Sequence, residues 1–458
     1  MASSSRCLNT FLVVVRRVEP LVVLAQLGTS LFDTALLMVV KDRCANATYP
    51  LTDAHVSRED DQQRAMSDFY MVNNLIIQLT PIVPAVLLAK AGDKGWRRAP
   101  VAVPLCGYLL SSVALLLVVV LKLPIQVMFA AAVFFGISGG FCAYWPGVMT
   151  LVSLGSTTET RSQVMMRVEL MYGVAGLLGS LLSGHVFLLY SSSVGYGTVL
   201  LCICALLHLL SLIHATVLLQ VRQVLGEPDD SSSRLLPQSS NSISVDISTR
   251  RNMVIVILLF SAAILYGSSV GGAVEILGIF VLKEPLHWTA MQVGYGNMAG
   301  FVIFLSSFLG AIVFRRCVSE VTLILIGMLS FASGIYLMSF VTTSYMFYLA
   351  RSLSLFALIP LPTIRSLLSQ QVPTSLWGIT LTALQLALRF AALAYIPAFT
   401  KLYQRTLGWS PGFVFMLSSI LAVLGMIPIS VVGFIWSRSI RPVETEVTPE
   451  RNRVDKEN

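Results

Sequence analysis

VRQVLGEPDDSSSRLLPQSSNSISVDISTRR, residues 221–251, is the longest polar stretch between apolar runs in the chain. It holds Asp229-Asp230-Ser231-Ser232-Ser233 and a second Ser-rich piece at Ser239–Ser248. Such a composition cannot bury enough apolar surface to fold, and it reads as a disordered linker. Six apolar runs precede it, at about 20–40, 67–89, 99–121, 125–153, 165–190 and 196–220. Six follow it, at about 252–281, 291–314, 321–342, 345–370, 378–402 and 412–436. A helix of about 20 apolar residues crosses a hydrocarbon core of roughly 30 Å. The expected protein is therefore an all-α polytopic membrane protein of twelve transmembrane helices in two six-helix halves, 20–220 and 252–436. Residues 1–19 and 437–458 are polar ends. The fourth, seventh and tenth runs are long and interrupted by Gly or Pro, which predicts tilt or kinks.

Composition agrees. Of 458 residues 55% are hydrophobic and 12% charged, and the mean hydropathy is +0.78. Soluble domains carry roughly a quarter charged residues. The net charge of +8 finds its explanation in loop placement rather than in a nucleic acid polymer as partner. If both termini are cytoplasmic, nineteen Lys and Arg fall in inner segments and eight in outer ones, as the positive-inside rule requires. The sequon Asn46-Ala47-Thr48 then lies in the first outer loop, where glycosylation is possible. Residues 11–15 are too short an apolar piece for a cleaved signal. The seven cysteines and five histidines have no metal-ligand spacing, and neither a Walker loop nor a nucleophile–base constellation is present. These absences argue against an enzyme or an ATP-driven pump, with protons as coupling ion and no other cofactor. Two six-helix halves around a central cytoplasmic linker is the layout of the major facilitator architecture, with substrate between the halves near the midplane.

Charges inside spans are expensive and so mark function by default. They are Asp33 in span one, Glu169 in span five, Glu275 in span seven, Arg365 in span ten and Arg389 in span eleven. Asp68, Arg167 and Arg351 lie nearer span ends, where snorkelling accounts for them. Glu169 sits among apolar and small residues, as a proton carrier or as the partner of an arginine. Arg365 follows Pro360 and Pro362, whose missing donors free carbonyls and open space. It suits an anionic substrate, or else a pair with one of the acids, and Arg389 offers a second cation. Gly173, Gly176, Ser180 and Gly184 line span five at the spacing that lets helices approach closely, for tight packing or for a rocking seam between halves. Gly296 and Gly300 form a comparable stripe in span eight.

Ala89-Lys90-Ala91-Gly92-Asp93-Lys94-Gly95-Trp96-Arg97-Arg98 resembles the major facilitator loop between spans two and three, with Ala89 and Trp96 replacing glycines. Asp93, Arg97 and Arg98 are the gating-loop candidates, a charge latch or an ordinary positive-inside loop. More specific resemblance is carried by Val18-Glu19-Pro20-Leu21, Asp61-Gln62-Gln63-Arg64-Ala65, Gly139-Gly140-Phe141, Gly147-Val148-Met149, Pro285-Leu286-His287-Trp288 and Val293-Gly294-Tyr295-Gly296. Phe356-Ala357-Leu358-Ile359-Pro360, leading to Thr363-Ile364-Arg365-Ser366, adds to it. Through these passages the chain resembles solute carrier family 46, on its thymic stromal cotransporter branch, a relative of the proton-coupled folate transporter.

The resemblance implies roles. Glu169 matches the folate transporter's proton-coupling glutamate, and Arg365 its tenth-span arginine of substrate binding and coupling. Glu275 stands at an aspartate of that relative, and Arg97 at its loop arginine. Val270 replaces its seventh-span histidine, Gly139–Gly140 stand where it has a fourth-span aspartate, and His287 replaces an outer cysteine, leaving Cys44 without that partner. Asp33 has no counterpart acid there. The implied function is proton-coupled import of small anionic organic solutes, among them muropeptides, cyclic dinucleotides and folate-like or antifolate compounds, with a link to innate immune sensing. Membrane lipids are the other partners, and oligomeric state is unread. The alternatives are a proton-coupled drug exporter and a non-transporting membrane adaptor. Span five, Gly-Val-Ala-Gly-Leu-Leu-Gly-Ser at 173–180, lacks the proline common in exporters. The expected location is the plasma membrane, with an endolysosomal membrane open because Asp230 precedes Leu235-Leu236.

Overall fold

The computed structural model describes residues 17–46, 58–155, 161–191, 197–219, 242–314, 317–372 and 377–440. Every regular element among them is helical. The first half comprises α1 (Glu19–Asn46), α2 (Arg58–Leu79), α3 (Ile82–Asp93), α4 (Ala99–Val120), α5 (Val127–Ile137), α6 (Gly140–Leu154), α7 (Arg161–Ser191) and α8 (Thr198–Ile213). The second comprises α9 (Ser242–Phe280), α10 (Ala290–Phe314), α11 (Glu320–Met338), α12 (Ser344–Leu353), α13 (Pro360–Gln371), α14 (Trp377–Thr406) and α15 (Phe413–Ile440). Eleven stretches are long and apolar enough to cross a membrane. The tenth expected span is the pair α12 and α13. Exposed apolar side chains such as Val83, Leu189 and Val217, 66%, 71% and 70% accessible, give the outside of the bundle the surface that lipid requires.

The breaks have local causes. The second span begins at Arg58, earlier than its apolar run, because Glu59, Asp60 and Asp61 fill the first turn and complement the helix dipole. It is interrupted between α2 and α3 at Pro81, which has no N–H to donate. The fourth span parts at Gly139 and Gly140, with φ of +93° and +48°, a conformation that side chains rarely tolerate. The tenth parts before Pro360. The seventh, expected to kink, is one unbroken helix. It starts at Ser242, so residues 242–251 are helical rather than linker; the rest of the expected linker lies outside the described residues. So do most of both polar ends.

The two halves meet along two seams, α7 against α10 and α2 against α14, while α1 packs on α7 and α8, and α9 on α14 and α15. The buried core is divided. One apolar cluster runs through the second half and into the first at Leu37, Met66, Leu115 and Phe187. A second, with Leu21, Val101, Tyr144, Val148 and Val168, is confined to the first half. Its members lie towards the face where α1 begins and α15 ends, here the termini-bearing face. The halves are thus joined by a common core towards the opposite, far face and separate towards the termini.

Candidate functional site

Helix α7 explains this wedge. A Cβ on Gly184 would stand 2.5 Å from the Ala290 carbonyl oxygen and 2.5 Å from Met291 Cα, and one on Gly294 2.6 Å from the Ser180 oxygen. Backbone therefore lies directly on backbone at the far end of the α7–α10 seam. Towards the termini the same stripe meets side chains: Gly173 faces Phe304 and Leu305, and Gly176 faces Phe301. The small-residue stripe does form the seam between halves. Gly296 and Gly300 do not join it; they face Trp288 and Arg351.

Between the separated ends lies a cavity of about 970 Å³. Its first-half lining includes Asp33 from α1, Trp145 from α6, and Glu169 and Tyr172 from α7. Its second-half lining includes Phe301 and Phe304 from α10, Arg351 from α12 and Arg365 from α13. Tyr172 bridges the halves, its ring centroid 6.4 Å from Phe301, 6.0 Å from Phe304 and 4.9 Å from Trp145. This wall is apolar and aromatic, suited to the body of an amphipathic solute.

The first half brings two acids to the cavity, and the second brings two arginines and one acid. Asp33 is exposed to the cavity and Glu169 half-buried, and among the described residues neither is paired with a Lys or Arg. Arg365 donates from Nη2 to Gln385 Oε1 at 3.2 Å rather than to an acid. Glu320, at the start of α11, also lines the cavity and accepts from Gln370 at 3.1 Å. The expected site changes in two ways. Glu275 and Arg389 lie outside the lining. Glu275 accepts a hydrogen bond from Asn74, and Arg389 donates to Gln78, both partners on α2. Conversely Arg351, expected to snorkel, is the eighth residue of α12 and lines the cavity.

Those α2 contacts belong to a longer series that closes the far face. Lys283 pairs with Asp60 and donates to the Leu407 oxygen at 3.0 Å. Lys401 bonds Asp68 at 2.9 Å, and Gln404 bonds Ser67 and Asp68, each at 2.8 Å. Gln63 and Ser67 are 2% and 1% accessible in this arrangement. Glu59, Glu284 and His287 gather beside it, with Glu59 accepting from the Glu284 N–H at 2.9 Å. In the sequence Asp60, Lys283, Lys401 and Gln404 read only as loop or span-end residues, because the Asp60–Lys283 and Asp68–Lys401 pairs join positions more than two hundred residues apart.

The remaining candidates are simpler. Arg98 donates to the Thr216 oxygen at 2.8 Å within its own half, and Arg97 is half-buried. Asp93 ends α3, and its side chain is not among those described. Asn46 ends α1, and the rest of its sequon lies outside the described residues. His208 is a core group, its Nδ1 2.7 Å from Ser112 Oγ.

The fold and the sequence have known counterparts. The chain is similar in structure to the POT family transporter PepTSo, with TM-score 0.63 at 11% identity over 92% of this chain and 99% of that one. It is likewise similar to the D-xylose-proton symporter, with TM-score 0.60 at 14% identity over 90% and 96%. Residues 78–393 match the Major Facilitator Superfamily. Solute carrier family 46 member 2 of Canis lupus familiaris is 39% identical over 91% of this chain and 93% of its own. The lysosomal proton-coupled steroid conjugate and bile acid symporter of Gallus gallus is 26% identical over 82% of each chain. A helical bundle with a cavity at the seam of its halves, matched at this identity over almost its whole length, is a multi-pass membrane transporter rather than an enzyme, and the chain belongs to solute carrier family 46 of the major facilitator superfamily.

Proposed function

We propose that this chain is a proton-coupled symporter that imports amphipathic organic anions by alternating access. The observation that carries the reading is one cavity in which Asp33 and Glu169, paired with no Lys or Arg among the described residues, stand on one half and Arg365 on the other. A carboxylate at this depth must be compensated by water, a cation or a proton, and among the described residues these two have no cation. Asp33 and Glu169 bind the proton; Arg365 holds a carboxylate, sulfate or phosphate. Glu275 and Arg389 act at the seam with α2 instead. Muropeptides, cyclic dinucleotides, antifolates and the steroid conjugates of the chicken relative share an anionic group on a larger body. Delivery of bacterial fragments would feed innate immune sensing. Termini in the cytosol, glycan at Asn46, and residence in the plasma membrane or, as the relative's name suggests, the lysosome complete the proposal. The cavity then faces the cytosol.

The test is uptake of a labelled muropeptide, a cyclic dinucleotide, methotrexate and a steroid sulfate at about pH 5.5 and about pH 7.4, with and without an inward proton gradient of about two units. An inward gradient supplies about 1.4 kcal/mol per pH unit, hence about tenfold accumulation per unit when one proton moves with each solute. Glu169→Gln is expected to remove the acid stimulation, with exchange of labelled for unlabelled solute retained. Unchanged acid stimulation in this variant would exclude Glu169 from coupling, and outward transport would favour an exporter.

The far-face series gives a second expectation. Lys283→Gln removes the ion pair with Asp60 and weakens the tie to the Leu407 oxygen, so the far face should open more often. In a Ser67→Cys background, labelling by a membrane-impermeant maleimide is expected to rise severalfold. Equal labelling with Lys283 and with Gln would mean that this pair does not hold the far face closed.

A further inference from the structure

The broken tenth span carries an arginine on each of its pieces, Arg351 as the eighth residue of α12 and Arg365 as the sixth of α13. Both line the same cavity. The base of Arg351 is rigid. Its guanidinium carbon lies 5.8 Å from the centre of the Phe347 ring. That ring is 1% accessible and packs edge-on against Trp288 at 4.5 Å, and Trp288 Nε1 donates to Ser344 Oγ at 2.8 Å. The guanidinium reaches across α10 at Gly300, where a Cβ would stand 3.0 Å from Nη2. Yet its Nε is buried with no hydrogen-bond partner, and no acid pairs with it among the described residues. A guanidinium has five N–H donors and is always charged. Here it is held in place on an aromatic cluster, with the Nε donor unsatisfied among the described residues.

We propose that Arg351 is a second anion-binding residue, which with Arg365 selects solutes carrying two anionic groups at opposite ends of an apolar body. This rests on the reading of the cavity as an organic-anion site. The electrostatics support it. Once Asp33 and Glu169 are protonated, neither arginine has a carboxylate bonded to it among the described residues, and an anion held by one leaves the other without a partner of opposite charge. Glu320 keeps its charge when it accepts from the neutral Gln370, and it stands at the first residue of α11, towards the termini. The aromatic wall of Tyr172, Phe301 and Phe304 offers the body its contact. Deprotonation of the two acids after delivery would restore the balance of charge without the solute, which favours release.

The experiment compares uptake of oestradiol disulfate, with a sulfate at each end of a rigid apolar body, and oestrone sulfate, with one. Wild type, Arg351→Gln, Arg351→Lys and Arg365→Ala are measured at matched surface level. The wild-type chain is expected to favour the disulfate. Arg351→Gln should raise its half-saturation concentration about tenfold, the scale of one lost charge-assisted contact, and leave that of the monosulfate within about twofold. Arg351→Lys, which keeps the charge without the planar fork, should fall between. A purely structural role would weaken both compounds alike, and that result, or no change in either, would overturn the second site while leaving anion transport standing. Uptake of neither compound by the wild-type chain at the surface would overturn the anion reading itself, and the second site with it.

Discussion

Replacing Arg365 with alanine is expected to abolish concentrative uptake of organic anions at both acid and neutral pH, with folding and surface delivery intact. The side chain is exposed to the cavity, and among the described residues its hydrogen-bond partner is the neutral Gln385, so removal strands no acid there. What is lost is the fixed cation opposite the solute's anionic group. Truncating one partner of a desolvated charge pair costs about 2–5 kcal/mol, and about 2.8 kcal/mol already lowers affinity about a hundredfold. The loss should appear at every pH, because arginine does not titrate in the working range. This separates it from Glu169→Gln, which should remove only the acid-stimulated part. Arg365→Lys should retain some uptake, since a point charge replaces a fork of parallel donors. Binding of the labelled solute to the purified protein, read beside uptake, locates the defect. Wild-type binding by Arg365→Ala would show that the anion is held elsewhere in the cavity.

Why the spans were legible and parts of the site were not comes down to which information is local. Crossing a bilayer imposes a length and a polarity on each segment, and both are read along the chain. The polar composition of residues 221–251 and the apolar runs around it therefore suffice for two halves of six. Lone acids such as Asp33 and Glu169 are equally legible, because each is costly by itself whatever its neighbours. Arg351, which its place in the apolar run assigns to the rim, lines the cavity instead. Its distance from the end of an apolar run says how far it must reach to water, not which way it points. The run is also broken between Leu353 and Pro360, so this residue stands beside the break rather than at the rim. Glu275 and Arg389 have the opposite history: both are charges within spans, as read, but their partners Asn74 and Gln78 are set by the packing of α2 on α9 and α14. Small residues at three- and four-residue spacing announced a close helix contact on α7. They did not say which of them touch backbone.

That distinction carries the other large expectation, that Gly184→Leu eliminates transport although it adds only an apolar side chain to an apolar helix. The added Cβ would meet the Ala290 carbonyl oxygen and Met291 Cα at 2.5 Å. These are backbone atoms of α10, unable to turn aside as a side chain can. The two helices must separate at the far face, which is where the common core and the Lys283–Asp60 pair join the halves. Overpacking of this kind costs about 1–3 kcal/mol, and that range shifts a two-state balance about 5- to 150-fold. The conformation closed at the far face would become the minor one, and a cycle that must pass through it would stall. Gly176→Ala is the contrasting variant. Its Cβ meets the ring of Phe301, a side chain bordering the cavity, which can move into open space, so most transport should survive. In Gly184→Leu the impermeant maleimide should reach Ser67→Cys readily. If transport vanished while that cysteine stayed protected, the variant would be jammed closed rather than wedged open. The backbone contact at Gly184 would then be a site of sliding and not the fulcrum on which the halves rock.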